Sequence, residues 1–206
     1  EEVHVLRGCY KGIMVGAGTI LADNPQLTAR TEGMIDPIRI IVDGHLSVPL
    51  KAKVFQEPGE TIVLTTTASD ENKRKQLSQM GIDIIMADGE EKGKVDLQAA
   101  MTGLALKGID GILLEGGATL AASAFEEGIV DKIRLYVAPK IIGGVTAPGL
   151  IGGKGASSMA KVLHLKDMQT EMSGSDLVIE AYVDSKKEEE PVSRRSVDID
   201  ILKERE

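Results

Sequence analysis

Aromatic side chains are nearly missing from this 206-residue chain, which has two Phe, three Tyr and no Trp. Its core must therefore be aliphatic, and few rings are available to stack on the bases of a single strand. Cysteine is limited to Cys9, which excludes an internal disulfide framework and a zinc site built on several thiolates. Basic residues are outnumbered, 24 Lys and Arg against 32 Asp and Glu, for a net charge of −8. That balance, with no basic patch, offers nothing to a nucleic-acid phosphate backbone. No apolar run approaches the length of a membrane span. Nor does the opening EEVHVLRGCYKG combine a basic start with an apolar signal region. These absences predict a soluble, cytoplasmic protein that binds neither nucleic acid nor membrane.

What is present is a regular alternation of short apolar runs and helical patterns, in a chain long enough for one well-buried domain. Residues 2–11 read as a short helix ending near Gly12. IMVGAG (13–18), PIRIIVDG (37–44), TIVLTT (61–66), IDIIMA (82–87) and GILLEGG (111–117) read as strands. Helices are predicted over 70–80, stopped by Gly81, over 95–108, with Leu97, Met101, Leu104 and Ala105 on one face, and over 119–128. A long strand is predicted over 131–144. Residues 161–184 read as two antiparallel strands joined around Ser173-Gly174-Ser175. The fold class is therefore α/β: a mainly parallel sheet flanked by helices, closed by an antiparallel hairpin. Residues 1–184 form the predicted domain. Residues 185–206 are charge-dense and read as a solvated mobile tail. The alternation in VDIDIL (197–202) offers a second reading, an added strand.

Open α/β sheets bind ligands beyond the carboxyl ends of their strands. Three segments place glycine or polar residues there: GAGT (16–19), DGHL (43–46) and EGGATLA (115–121). In the third, Glu115 follows an apolar strand directly, and a carboxylate in that position needs a partner. Two glycines permit close backbone approach, and Thr119 opens a helix whose free N–H groups favour an anion. Taken singly these residues have plain structural readings: an ion pair for Glu115, a turn for Asp23-Asn24-Pro25, an exposed side chain for Arg30. The glycines of GAGT are followed by no Walker lysine and lack the third glycine of the dinucleotide fingerprint.

Together the motifs are more specific. VGAGTILADNPQLTAR, then PIRIIVDG, then LLEGGATLAASAFEEGIVDKIRLYVAPKIIGG resemble the reductase domain of riboflavin biosynthesis, the 5-amino-6-(5-phosphoribosylamino)uracil reductases, over roughly residues 3–184. The pattern G-x-G-T-x-L-x-D-[DN]-P-x-L-T-x-R is its long signature. The resemblance implies a dihydrofolate-reductase-like fold and an NADPH-dependent reduction of a phosphorylated ribosylamine to the ribitylamine. It implies cofactor contacts from Thr19, Asp23 and Gly44, and from Gly117, Ala118, Thr119, Leu120, Ala121, Ala122 and Ser123 around the pyrophosphate. Substrate contacts would come from Arg7, Leu27, Arg30 and Glu115, the two arginines being apt for phosphate oxygens. Asp23, Glu115 or a water would handle the proton. A cis peptide between Gly116 and Gly117 is also implied.

Family members open with a strand of the form T-x-K-x-A-x-S-x-D-G and are often fused behind a deaminase. We expect that strand, and in a fused protein the deaminase, to precede residue 1. The alternating Leu163, Leu165, Leu177 and Ile179 of the hairpin, with the family's habit, imply a homodimer. Two alternatives share these features: another pteridine or folate reductase on the same fold, and a non-catalytic NADPH-binding module.

Overall fold

The computed structural model describes residues 2–144, 147, 149–184 and 196–201. The chain divides between Leu113 and Leu114 into two compact units. In the first, α1 (Glu2–Cys9) leads into β1 (Gly12–Gly16), β2 (Ile38–Val42), β3 (Thr61–Thr65) and β4 (Asp83–Met86). These four strands pair in parallel in the order β4-β3-β2-β1. Their sequences explain the arrangement. GIMVG, IRIIV and TIVLT are continuous apolar runs, not alternating ones, as strands covered on both faces require. Ile13, Val15, Ile41 and Val63 pack with Ile20, Leu27, Leu46, Val48, Val54 and Leu77 into one buried cluster.

Helices supply the covering layers: α2 (Ala17–Asp23), α3 (Lys53–Gln56), α4 (Glu71–Gln79) and α5 (Leu97–Leu106). The longest two start from aspartate caps. The Asp70 carboxylate accepts the Lys73 N–H at 2.8 Å, and Asp96 accepts that of Ala99 at 2.8 Å. Both helices are followed by a glycine at positive φ, Gly81 and Gly108, each at 81°. The buried stripe of α5 is Leu97, Ala100 and Leu104. Ala100, three residues after Leu97, takes the place expected for Met101, and Met101 and Ala105 are only half-buried.

The second unit starts within β5 (Gly111–Glu115) and continues through α6 (Ala118–Glu126) to β6 (Lys132–Val137), β7 (Leu165–Ser173) and β8 (Asp176–Val183). β7 and β8 form the expected hairpin, turning through Gly174 at φ 62°, and β8 pairs antiparallel with β6. β6 is far shorter than the strand predicted over 131–144. Pro139 has no N–H to give a ladder, and the strand stops two residues before it. The tail reading also changes. Ser196–Ile201 form β9, which pairs in parallel with β6, Lys132 opposite Asp198 and Leu135 opposite Ile201. The second reading of VDIDIL is thus the observed one. The remaining tail positions, 185–195 and 202–206, lie outside the described residues. The architecture is the expected one, parallel strands with flanking helices and an antiparallel C-terminal hairpin. Among the described residues no helix is long and apolar enough to cross a membrane.

Candidate active site

In the first unit the predicted residues collect at the carboxyl end of β1 and on the segment behind it. The strand predicted over 13–18 ends at Gly16, and α2 begins at Ala17. Gly16 caps α2 with extended dihedrals and no side-chain hydrogen bond, and Gly18 and Thr19 already belong to its first turn. Ile20, buried in the core, pulls the helix tight against the strand end. Asp23 closes α2 and is exposed. Asn24 then takes a left-handed conformation at φ 45°, returns its N–H to the Ile20 carbonyl at 2.9 Å, and accepts the Lys53 N–H on its side chain at 2.9 Å. Asn24 is thus the left-handed end of α2, and its side chain ties that end to the start of α3.

Two further non-glycine residues on this segment have positive φ, Leu27 at 60° and Arg30 at 54°. Such strain persists only where surroundings impose it, and it gathers at ligand clamps. The constraints are visible. Leu27 is 2 % exposed as a whole residue and belongs to the core. The Asp36 carboxylate accepts the Ala29 N–H at 2.8 Å. Gln26 donates to Glu57 at 2.8 Å and accepts from Arg30 Nη2 at 3.2 Å.

Thr28 lies between the two predicted arginines. Arg7, 6 % exposed on α1, donates from Nη1 to the Thr28 carbonyl at 3.2 Å. Arg30, on the surface, donates from Nε to the Thr28 hydroxyl at 3.4 Å. The structure therefore brings Arg7 and Arg30 to one residue, from elements far apart in sequence.

It also adds a residue the sequence reading passed over. His4 lies one helical turn before Arg7, and burial pushes its imidazole below the ordinary value of 6.5. Arg7 and Arg30 push in the same direction, while a hydrogen bond with the Thr28 main chain opposes them. The available signal was H-x-x-R, a spacing that puts both side chains on one helix face.

Gly44 follows β2 and is confined by its own fold. Its carbonyl accepts the Thr66 hydroxyl at 2.8 Å and the Thr65 hydroxyl at 3.3 Å. A Cβ there would collide with the Gly93 carbonyl. The loop beyond is organised by buried Asp43, which accepts the Ser47 and Val48 N–H groups at 2.8 Å each.

The second unit holds the other predicted residues. Glu115 ends β5 and is buried. Gly116 and Gly117 follow at φ 66° and 81°, and Gly117 caps α6. The peptide between them is trans, against the cis bond expected. Two left-handed residues in succession already turn the chain from strand to helix, so a cis bond is not needed. The first turn of α6 has no side-chain cap and no acidic residue, which suits an anion at its N–H groups. Thr119 is exposed and Ser123 half-buried, whereas Leu120, Ala121 and Ala122 are buried and face the core. Gly152 packs on this turn and donates its N–H to the Ala118 carbonyl at 2.9 Å. Gly153 lies against Ala122, leaving too little room for a Cβ. The signal for that contact was the glycine-dense GLIGGKG (149–155).

Fold and residues define an α/β domain with an arginine clamp in one unit and an uncapped glycine-helix turn in the other. The RibD C-terminal domain model matches residues 1–179, and the chain belongs to that family. It is 38 % identical over 183 residues to the riboflavin biosynthesis protein RibD of Actinobacillus pleuropneumoniae, covering 88 % of this chain and 48 % of that one. It is 33 % identical over 187 residues to the 2,5-diamino-6-ribosylamino-4(3H)-pyrimidinone 5′-phosphate reductase of Aquifex aeolicus, covering 90 % and 82 %. The RibD structure from Acinetobacter baumannii shares the fold, with a TM-score of 0.71 at 24 % identity over 88 % of this chain and 49 % of that one. The chain thus spans about half the length of its RibD relatives.

Proposed function

We propose that residues 1–184 form an NADPH-dependent oxidoreductase of riboflavin biosynthesis that reduces the ribosylamino group of 5-amino-6-(5-phosphoribosylamino)uracil to the ribitylamino group. The observation that carries this reading is the clamp of Arg7 and Arg30 around Thr28, on a strained backbone, in a chain of the RibD C-terminal family. Paired guanidiniums of that kind recognise phosphate oxygens and leave neutral sugars indifferent. NADPH, when bound, supplies a hydride to C1′ of the sugar. The uncapped first turn of α6, from Gly117 to Ser123, would take its pyrophosphate, and Thr19, Asp23 and Gly44 would lie against the rest of it. Arg7, Leu27 and Arg30 would orient the phosphorylated sugar, and Glu115 its polar end. As the C1′–O4′ bond opens, O4′ needs a proton, and Asp23 and Glu115 are the two carboxyls assigned to handle it, directly or through water.

We further propose a homodimer in the cytoplasm. Support for the dimer comes from β7, an edge strand whose side chains stand largely in solvent, with Met168 66 % and Met172 64 % exposed. The RibD relatives are long enough to hold a second domain, and a deaminase fused to this unit is the proposal for the full-length protein.

The deciding experiment replaces Arg30 by Ala and follows NADPH oxidation with the phosphorylated substrate and with its dephosphorylated form. Turnover of the phosphorylated substrate at saturating NADPH should fall at least tenfold, with little change for the other. Equal effects on both would overturn the assignment, and no NADPH oxidation by the unaltered chain would overturn the activity.

A further inference from the structure

Among the described residues, one buried side-chain nitrogen or oxygen has no hydrogen-bond partner: Nδ1 of His4. Native proteins satisfy nearly all such atoms, and an exception calls for a reason. Its position supplies one. His4 lies on the same face of α1 as Arg7, hydrogen-bonds the main chain of Thr28, and is close enough to Arg7 and Arg30 for both to disfavour its charging. A neutral, half-buried imidazole beside two guanidiniums, with a polar atom unused, is poorly arranged for a protein that binds nothing there. It is well arranged for a dianion, whose arrival would offset the repulsion among three cations.

We propose that His4 is a third recognition residue for the phosphomonoester taken by Arg7 and Arg30, and that it becomes protonated when the phosphate binds. The inference rests on the proposed phosphate clamp and deepens it. Arg7 from α1 and Arg30 from the segment after α2 both disfavour charging of the imidazole, and the amino group at residue 1 pushes the same way. The bound phosphate adds two negative charges opposite them, so charging His4 changes from opposed to favoured. The gain is specific to a phosphate, since a neutral hydroxyl in the same place would leave the imidazole uncharged.

Ribose 5-phosphate is the probe, with ribose as the control. The chain has three histidines, at 4, 45 and 164, so their ring nitrogens can be followed separately by NMR. Near neutral pH, adding ribose 5-phosphate should move the His4 ring nitrogens toward the imidazolium position, and ribose should not. In calorimetry His4→Gln, which keeps a donor for Thr28, should weaken ribose 5-phosphate about tenfold, as expected for one lost hydrogen bond to a charged group. Arg30→Ala is the reference. If Arg30→Ala weakens the probe while His4→Gln does not, and the His4 signals stay in place, His4 has no part in recognition. If the unaltered chain fails to distinguish ribose 5-phosphate from ribose, the arginine clamp itself is wrong. The wild-type NMR titration needs no variant and stands even if His4→Gln folds poorly.

Discussion

Two residues can reach one neighbour from very different surroundings, and Thr28 shows it. Arg7 is buried to hold the Thr28 carbonyl, while Arg30 reaches the Thr28 hydroxyl from the surface. Arg30 stands inside the long motif, whereas Arg7 lies outside it and is named on the family resemblance alone. His4 was not legible, since an isolated histidine has no signature beyond its spacing from Arg7. Leu27 was legible as part of the motif, yet its side chain proves to be core. The lowered His4 titration has a consequence for stability. As pH falls, the unfolded chain takes up this proton first, near 6.5, while the folded chain resists. The neutral residue's contribution is intact above that value and is lost as pH falls through the lowered folded value. His4→Gln should flatten that part of the stability profile in urea titrations at stepped pH. An unchanged slope would contradict the burial and repulsion described. Thr19, half-buried in the first turn of α2, belongs to the cofactor reading, and Thr19→Val should weaken NADPH by roughly 1–3 kcal/mol in a fluorescence titration.

At the scale of elements, boundaries depended on single residues. Most of the strand and helix order was readable from period, because parallel strands are continuously apolar and α4 and α5 begin at aspartates and end before glycines. The short α2 and α3 were not predicted. Where expectation failed, one local effect was decisive. The strand expected through Gly18 stops at Gly16, because Ile20 needs the core and α2 starts at once. Pro139 cuts β6 short, and Ala100 fits the α5 stripe where Met101 was expected. The first turn of α6 yields a prediction in which stability and binding separate. Thr119→Asp places an acidic group on an exposed position there. It should stabilise the helix by about 0.3–1 kcal/mol through the macrodipole. The same charge should repel a pyrophosphate, weakening NADPH about tenfold. Thermal melts and a cofactor titration would show both. A tightened cofactor would remove α6 from the site.

For the whole molecule, the exposed β7 edge makes assembly the first property to measure. Light scattering at micromolar concentration should give twice the chain mass. Replacing Met168 and Met172 by Lys should return it to the monomer value, as charged edges do elsewhere. A monomer from the outset would leave that apolar surface without its proposed partner. β6 presents a different problem, one of timing. It pairs on one side with β8, soon after it in sequence, and on the other with β9, Lys132 opposite Asp198. A ribosome adds about 5–20 residues per second, so roughly 1–4 s separate the starts of β8 and β9 during synthesis. For that interval one rim of β6 is a half-finished ladder, open to any passing strand. Crowded, rapid expression should therefore yield more insoluble protein than slow, cool expression, from the same folded product.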